Sequence, residues 1–361
     1  MKKKIFFASG GTGGHLFPAM SLLNFYKDLG YEVYLGTDNR GKKYFRDNNE
    51  INYYKIHIGF PPDKKIIKKV LFALRIFFAT IRSFFLIQSI KPNLIIGFGG
   101  YIAFPFCIVA KIFNISLIIY EPNLVLGRAN RILLPFATKL LLASKHTQNI
   151  PKKHLNKIVE VGSLVRATFF NDKNSIKKTK DQFTLLVLGG SQGADIFTKI
   201  VPDLVKKVSI SNLKIKIIQQ CLKDQIEKLR SFYNAINVEN YIFDFEYDIE
   251  KLILQSNLVI TRCGASTTAE LINFKKPFIG VPYPYAKDNH QYYNVKFYED
   301  RGCCWLIEQK NFNVKNLFKL ITDILTDKSK IGKVQDNMKK FHFDKTPEKI
   351  HLNIKNIFDE N

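Results

Sequence analysis

With 361 residues, 46% of them hydrophobic, and no low-complexity tract, the chain is long enough for two folded domains and fits a folded soluble protein. Its formal net charge of +24 nominates an anionic partner (nucleic acid, anionic lipid or a phosphorylated substrate) without choosing among them. Cys107, Cys221, Cys263, Cys303 and Cys304 are odd in number and lack metal-ligand spacing, which fits a reducing compartment, and the few apolar residues between Lys4 and the first glycines are too short a run for a signal peptide.

Ile5 to Ala8 predicts a short buried strand that breaks into Ser9, Gly10, Gly11, Thr12, Gly13, Gly14 and His15 before a helical pattern resumes at Met20, Leu22 and Leu23. Glycines let backbone N–H groups approach a ligand, and a helix N-terminus carries partial positive charge, so this turn suits an oxygen-rich or anionic ligand. His15, where the strand's carboxyl end opens, is a candidate acid or base. The alternative is a turn selected only for tight packing, with a solvated histidine. Leu16 falls where the dinucleotide fingerprint needs its third glycine, which argues against NAD.

Glu32 to Gly36 reads as a second strand, after a helix ended by Gly30. Gly36 to Lys43 (GTDNRGKK) comes close to a P-loop but places Lys43 where Ser or Thr would hold magnesium. Lys64 to Lys91 contains Lys64, Lys65, Lys68, Lys69, Arg75, Arg82 and Lys91 and no acid, around an apolar run from Val70 to Ile90. A membrane span is rejected, because Arg75 and Arg82 would both sit at bilayer depth at about 2.5 to 3.5 kcal/mol each. Two readings remain: a crossover helix with a solvated basic side, or a helix lying on an anionic membrane face, with Ile66 to Phe85 as its docking stretch. Asn93 to Gly97 is a third strand, closed by Gly97, Gly99 and Gly100. Ile115 to Tyr120 is another, ending at Glu121, Pro122 and Asn123. In a doubly wound sheet such strand ends converge on one crevice.

Between Val161 and Gln182 the periodicity lapses, and Gly162 to Arg166 (GSLVR) followed by NDKNSIKKTKDQ reads as an interdomain linker. The opening pattern then repeats: strand Phe183 to Leu188, turn Gly189, Gly190, Ser191, Gln192 and Gly193, and a helix through Ile196, Ile200 and Leu204. The expectation is an α/β protein of two Rossmann-like domains with parallel sheets facing across a cleft. Further strands are expected at Ile215 to Gln219, Tyr241 to Phe245 and Leu258 to Thr261. The run Arg262 to Glu270 is another small-residue turn opening a helix. Glu270 there either accepts hydrogen bonds from ribose hydroxyls or is a helix-start acid with no ligand. Strand Phe278 to Val281 leads into Pro282, Tyr283, Pro284 and Tyr285, then Lys287, Asp288, Asn289, His290, Gln291 and Asn294, a reader of sugar hydroxyls or a plain capped loop. Asp244-Phe245-Glu246 is only loosely like an Asp-x-Asp metal motif.

Taken in order and spacing, GGTGGH, GFGGY, the Glu-x-Asn of Glu121 and Asn123, GGSQGA, CGAST-x-x-E and DNHQ-x-x-N resemble glycosyltransferase family 28, over nearly the full chain. The relevant members are peripheral-membrane N-acetylglucosaminyltransferases that convert lipid I into lipid II in peptidoglycan synthesis. The resemblance implies a GT-B fold, with residues 1–165 facing acceptor and membrane and residues 166–344 binding UDP-GlcNAc. A C-terminal helix within 345–361 would pack back on the first domain. It places Thr12, Gly13 and Gly14 beside the donor sugar and diphosphate, Asn123 on the GlcNAc, Arg166 at the donor site and Ser191 on the diphosphate. Ala265, Ser266, Thr267, Thr268, Ala269 and Glu270 would hold the nucleoside, with Glu270 on the ribose; Gln291 would bind GlcNAc hydroxyls, and a backbone group near Glu246 would read uracil. The family often has His-Glu-Gln-Asn where Tyr120 to Asn123 stand, and Asn-Pro where Ser163 and Leu164 stand.

The implied reaction is an inverting displacement by the C4 hydroxyl of the muramoyl sugar, with His15 the first candidate base and Glu121 the second. Turn N–H groups and Arg166 would stabilise the diphosphate, so neither a metal nor a cofactor is expected. The implied partners are UDP-GlcNAc, lipid I, the anionic inner leaflet at the cytoplasmic face of the cell membrane, and cell-wall and division proteins. Rival readings are a GT-B enzyme acting on a lipid such as diacylglycerol, a catalytically dead scaffold, and a basic nucleic-acid-binding module. No zinc pattern, RNP-like strand or arginine-rich helix supports the last, so nucleic acid is not an expected partner.

Overall fold

Short apolar runs alternating with helices build two parallel sheets. The computed structural model describes residues 2–41, 52–59, 66–166, 182–190, 194–210, 214–343 and 345–359. The chain divides into two compact units, Met1–Ala167 with Phe343–Asn361, and Thr168–His342. The near P-loop at Lys42 and Lys43, the bases Lys64 and Lys65, and the linker over 167–181 lie outside the described residues.

The first unit holds β1 (Lys4–Ala8), β2 (Glu32–Thr37), β3 (Asn52–Lys55), β4 (Leu94–Gly97), β5 (Ser116–Glu121), β6 (Lys139–Leu142) and β7 (Ile158–Glu160), with helices α1 (Gly13–Asp28), α2 (Ile66–Ile90), α3 (Ala103–Ile112) and α4 (Arg128–Leu133). The second holds β8 (Phe183–Leu188), β9 (Ile215–Gln220), β10 (Glu239–Phe243), β11 (Leu258–Thr261), β12 (Phe278–Gly280) and β13 (Trp305–Leu306). Its helices are α5 (Asp195–Ile210), α6 (Ile226–Ala235), α7 (Ile249–Gln255), α8 (Ala265–Asn273), α9 (His290–Glu299), α10 (Val314–Thr326) and α11 (Lys328–Met338). A final helix, α12 (Thr346–Asp359), belongs to the first unit.

The sheets run β3-β2-β1-β4-β5-β6-β7 and β10-β9-β8-β11-β12-β13. In each, the order reverses direction beside the opening strand, at β1/β4 and at β8/β11, and such switch points are where doubly wound sheets take ligands. The central strands β1, β4, β8 and β11 are largely apolar because both faces are covered. Along β1 the side chains alternate: Phe6 and Ala8 join one core with Ile95, Phe106 and Ile119, while Ile5 and Phe7 join another with Leu16, Leu22 and Leu23 of α1. Ile350, Ile354 and Ile357 of α12 complete that second core. Burying such a side chain stabilises by about 1.5–3 kcal/mol, enough to fix a helix of this length.

Four of the described strands were not expected from the sequence: β3 is the polar run Asn-Tyr-Tyr-Lys at the sheet edge, and β6, β7 and β13 are short, with apolar runs that give no clear period. The strand expected at Tyr241 to Phe245 is observed two residues earlier, because Asp244 Oδ1 accepts from Phe245 N at 2.8 Å and turns the chain. Helix α2 buries Ala79, Ser83, Ile87 and Ile90 in the first unit's core. It is long and apolar enough to cross a membrane by length and composition. Ile67, Leu74, Phe77, Phe78, Ile81 and Phe85 are exposed. At about 100° per residue they fall opposite the buried face, with the exposed Arg75 and Arg82 on the flank.

Candidate functional site

In the first unit the corner is built from the turns after β1 and β4. Ser9 N donates to Gly36 O at 3.0 Å, directing the turn back over β2. At Gly11 a β-carbon would run into the Asp38 carboxylate and lie 2.9 Å from Gly41 N, so a glycine is required; Asp38 itself is ion-paired to Arg40 at 2.6 Å. Thr12 caps α1 in extended conformation, and its carbonyl accepts from His15 N and Leu16 N at 3.0 and 2.9 Å. Gly13 and Gly14 therefore form the first turn, where helix amides point outward. Gly99 and Gly100 adopt φ of +80° and +79°, the left-handed region. They bring the β4 turn against His15: a β-carbon on Gly99 would lie 3.4 Å from His15 Cε1, and one on Gly100 3.6 Å from Cδ2. The imidazole thus lies across the switch point. The Arg166 guanidinium stacks over the Phe17 ring, 3.5 Å from its centroid, two residues along α1 from His15.

The end of β5 supplies Glu121. Its buried carboxylate accepts from Asn123 N at 3.0 Å and from Asn123 Nδ2, Gly127 N and Asn130 Nδ2, each at 2.9 Å. Four donors hold it as the staple of the loop that carries Asn123. Asn130 on α4 reaches the same corner, since a β-carbon on Gly99 would lie 3.3 Å from its Nδ2. Sequence reasoning missed Asn130; its only signal is an asparagine nine positions beyond the buried acid.

In the second unit, Gly190 N donates to Gln220 Oε1 at 3.2 Å and Gln220 Nε2 donates to the Asp244 carbonyl at 3.1 Å, which ties together the ends of β8, β9 and β10. Ser191 lies outside the described residues. The Glu246 side chain is engaged, accepting from Asp248 N at 3.0 Å and from the Tyr241 hydroxyl at 3.2 Å. Helix α8 starts after Gly264, where an added β-carbon would meet nothing within 4 Å. Ala265, Ser266 and Thr267 form its first turn. Thr268 Oγ1 donates back to the Gly264 and Ala265 carbonyls at 3.1 and 3.0 Å, so this hydroxyl serves the helix, and Ala269 and Glu270 are buried.

Gln291 Oε1 accepts from Tyr283 N at 2.9 Å and from Cys263 N at 3.3 Å, joining the loops after β11 and β12 and leaving its NH₂ to donate. Just before it, Asp288 and Asn289 take φ of +52° and +53°, strain that clusters at ligand loops. Arg262, whose part the sequence did not reveal, lies between the rings of Phe197 and Tyr283 and donates to Gln309 Oε1 at 2.6 Å and to the Val281 carbonyl at 3.0 Å. Burial pushes the Cys263 thiol well up, which disfavours a thiolate nucleophile. Among the described residues no cluster of three or more His, Cys, Asp or Glu is placed to hold a metal ion.

Thr12, Gly13, Gly14, His15, Glu121, Asn123 and Arg166 therefore gather in one unit, and Glu246, Ala265 to Glu270 and Gln291 in the other. In each, open helix N-termini for an anion stand at the carboxyl edge of a doubly wound sheet. Two such Rossmann units, both with glycine turns at their switch points, define the GT-B class of fold. Over 98% of this chain and 99% of the other, the structure matches that of Acinetobacter baumannii MurG with a TM-score of 0.75 at 23% identity. S. aureus MnaA with UDP matches over 100% and 98% with a TM-score of 0.73 at 13% identity. Residues 5–142 match the glycosyltransferase family 28 N-terminal domain and residues 184–350 its C-terminal domain, and the chain belongs to this family. A UDP-N-acetylglucosamine--N-acetylmuramyl-(pentapeptide) pyrophosphoryl-undecaprenol N-acetylglucosamine transferase of Pelagibacter ubique is 35% identical over 361 residues, 100% of both chains. A relative of the same name from Rickettsia canadensis is 34% identical, covering 94% of this chain and 95% of its own.

Proposed function

We propose that the protein transfers GlcNAc from UDP-GlcNAc, with inversion, to the C4 hydroxyl of the muramoyl sugar of lipid I, forming lipid II. The observation that carries this reading is the His15 imidazole seated between two glycine turns at the β1/β4 switch point, in a chain whose full-length relatives carry that activity in their names. His15 takes the proton of the C4 hydroxyl as that oxygen bonds to the anomeric carbon. The bond from that carbon to the diphosphate breaks, and its electron pair leaves with UDP. Thr12, Gly13, Gly14, Arg166 and Ser191 stabilise the diphosphate charge. Ala265 to Glu270 cradle the nucleoside with Glu270 on the ribose, a backbone group near Glu246 reads the uracil, and Asn123 and the Gln291 NH₂ hold the GlcNAc. Glu121 keeps the Asn123 loop in place while His15 acts as the base. The exposed face of α2 docks the enzyme peripherally on the cytoplasmic side of the inner membrane, where a lipid-linked acceptor lies.

A turnover assay with UDP-GlcNAc and either lipid I or diacylglycerol tests the acceptor; lipid I is the expected substrate, and turnover on diacylglycerol alone would overturn it. His15→Ala is expected to lower kcat by about 10² to 10⁴-fold with calorimetric UDP-GlcNAc affinity unchanged. Near-normal turnover in that variant would remove His15 from the role of base.

A further inference from the structure

Among the described residues, the oxygen of Asn130 is a buried acceptor with no hydrogen-bond partner. Asn130 is 2% exposed. Its Nδ2 donates to Glu121 Oε2 at 2.9 Å and to the Tyr120 carbonyl at 3.2 Å. Both of those groups only accept, so chemistry alone fixes the amide with its nitrogen toward β5 and its oxygen turned away. A β-carbon on Gly99 would lie 3.4 Å from Asn130 Oδ1 and 3.4 Å from His15 Cε1, so the oxygen and the imidazole border the same glycine.

We infer that Asn130 is the positioning residue for His15, its oxygen accepting the N–H of the ring nitrogen that faces away from the substrate as the other nitrogen takes up the acceptor's proton. The inference rests on the reading of His15 as the base. The base-competent neutral ring already carries its one N–H on the nitrogen away from the substrate, and the incoming proton lands on the substrate-facing nitrogen, so proton transfer turns the far N–H into a stronger, charged donor. An acceptor oxygen that bonds this N–H more strongly once the ring is charged favours the transition state over the ground state, and so raises kcat without tightening substrate binding. The proton comes from the attacking hydroxyl and the departing electron pair goes to UDP, so no other reagent enters. Glu121 acts at one remove, holding the amide so that its oxygen faces the ring. The charged groups around this corner are Glu121 behind Asn130, Arg128 and Arg131 on α4 itself, the Asp38–Arg40 pair beside Gly11, and Arg166 over Phe17; Gly99 and Gly100 contribute backbone only.

The test is an NMR titration of His15 in histidine-labelled protein, run beside the pH dependence of kcat and KM. Asn130→Leu removes the acceptor at similar volume. It is expected to lower the His15 pKa and to reduce kcat by about tenfold or more, with KM for UDP-GlcNAc unchanged. Asn130→Asp keeps an acceptor oxygen and adds charge, and is expected to raise the His15 pKa by about one unit or more, moving the acid limb of the kcat/KM profile the same way. Shifts of opposite sign support the inference, and a His15 pKa unchanged by both variants overturns it. If Asn130→Leu does not fold, Asn130→Asp decides alone by the same criterion. His15→Ala separates the two layers. If it retains turnover while the Asn130 variants move the His15 pKa, the base assignment fails and the positioning contact stands. If it loses turnover while the His15 pKa ignores Asn130, the base stands and the positioning role fails.

Discussion

The Tyr120 hydroxyl donates to the Gly162 carbonyl at 3.2 Å and accepts from Leu164 N at 2.9 Å. The family often carries histidine at the first of these positions and proline at the third, and a proline has no N–H to give. The two departures therefore fit each other: the phenol at position 120 has a use because residue 164 has an amide, and that buried amide finds its partner in the phenol. Tyr120→Phe is expected to cost about 1–3 kcal/mol, leaving Leu164 N–H and the Gly162 carbonyl without this partner. Leu164→Pro loses the same bond, so denaturant unfolding of the double variant is expected to show less than the sum of the single losses. Strictly additive losses would refute the coupling. At this scale the glycine turn and His15 were legible, because an apolar run breaking into glycines states its geometry locally. Asn130 was not legible. It sits in an ordinary helical stretch, and its partners Glu121 and Gly99 arrive from other strand ends through the fold alone.

Helix α12 is held on α1 by its isoleucines and by His351, whose ring lies 6.1, 5.6 and 6.5 Å from those of Phe25, Tyr26 and Tyr31. Burial first, and then the positive charge of Lys355, lowers the His351 pKa, and its buried Nδ1 has no hydrogen-bond partner among the described residues. The folded state thus prefers the neutral ring. The stability tied to it is fully present above the unfolded value near 6.5 and is lost as the pH falls through that value toward the folded one. The thermal midpoint is expected to drop on going from neutral to mildly acidic buffer, and to drop less in His351→Leu. An equal drop in both proteins would show that this ring carries none of the effect. Elements of five or six apolar residues, such as β5 and β8, were readable from the sequence. The two residues of β13 and the three of β7 were not, because strands that short are defined by the neighbour they pair with.

At the scale of the whole molecule, the charge of +24 and the exposed apolar face of α2 combine. Arg75 and Arg82 flank that face, and in the proposed docking they would reach lipid phosphates while the phenylalanines enter the interface. Flotation with vesicles containing anionic lipid is expected to recover more protein than with zwitterionic vesicles. The difference should shrink at about 1 M salt, where the Debye length is about 3 Å. Phe77→Asp with Phe85→Asp is expected to abolish recovery and to leave the lipid-free thermal midpoint in place, since both side chains are exposed. Equal recovery on both vesicle types would eliminate the electrostatic part. The two-unit plan was readable because the strand, glycine turn and helix pattern occurs twice, but the charge alone did not say which face bears the partner.

Helix α12 makes the first unit discontinuous in sequence. The second unit is a continuous stretch of chain, whereas the first recruits Ile350, Ile354 and Ile357 from beyond it. A polypeptide is made from its amino end, so the later-made half can close its interior while the earlier-made half still lacks a wall. During synthesis, Leu16, Leu22 and Leu23 wait uncovered for a segment more than three hundred residues away. The part of the enzyme that begins to form first is the last to finish, and premature termination anywhere in the second unit would damage the first.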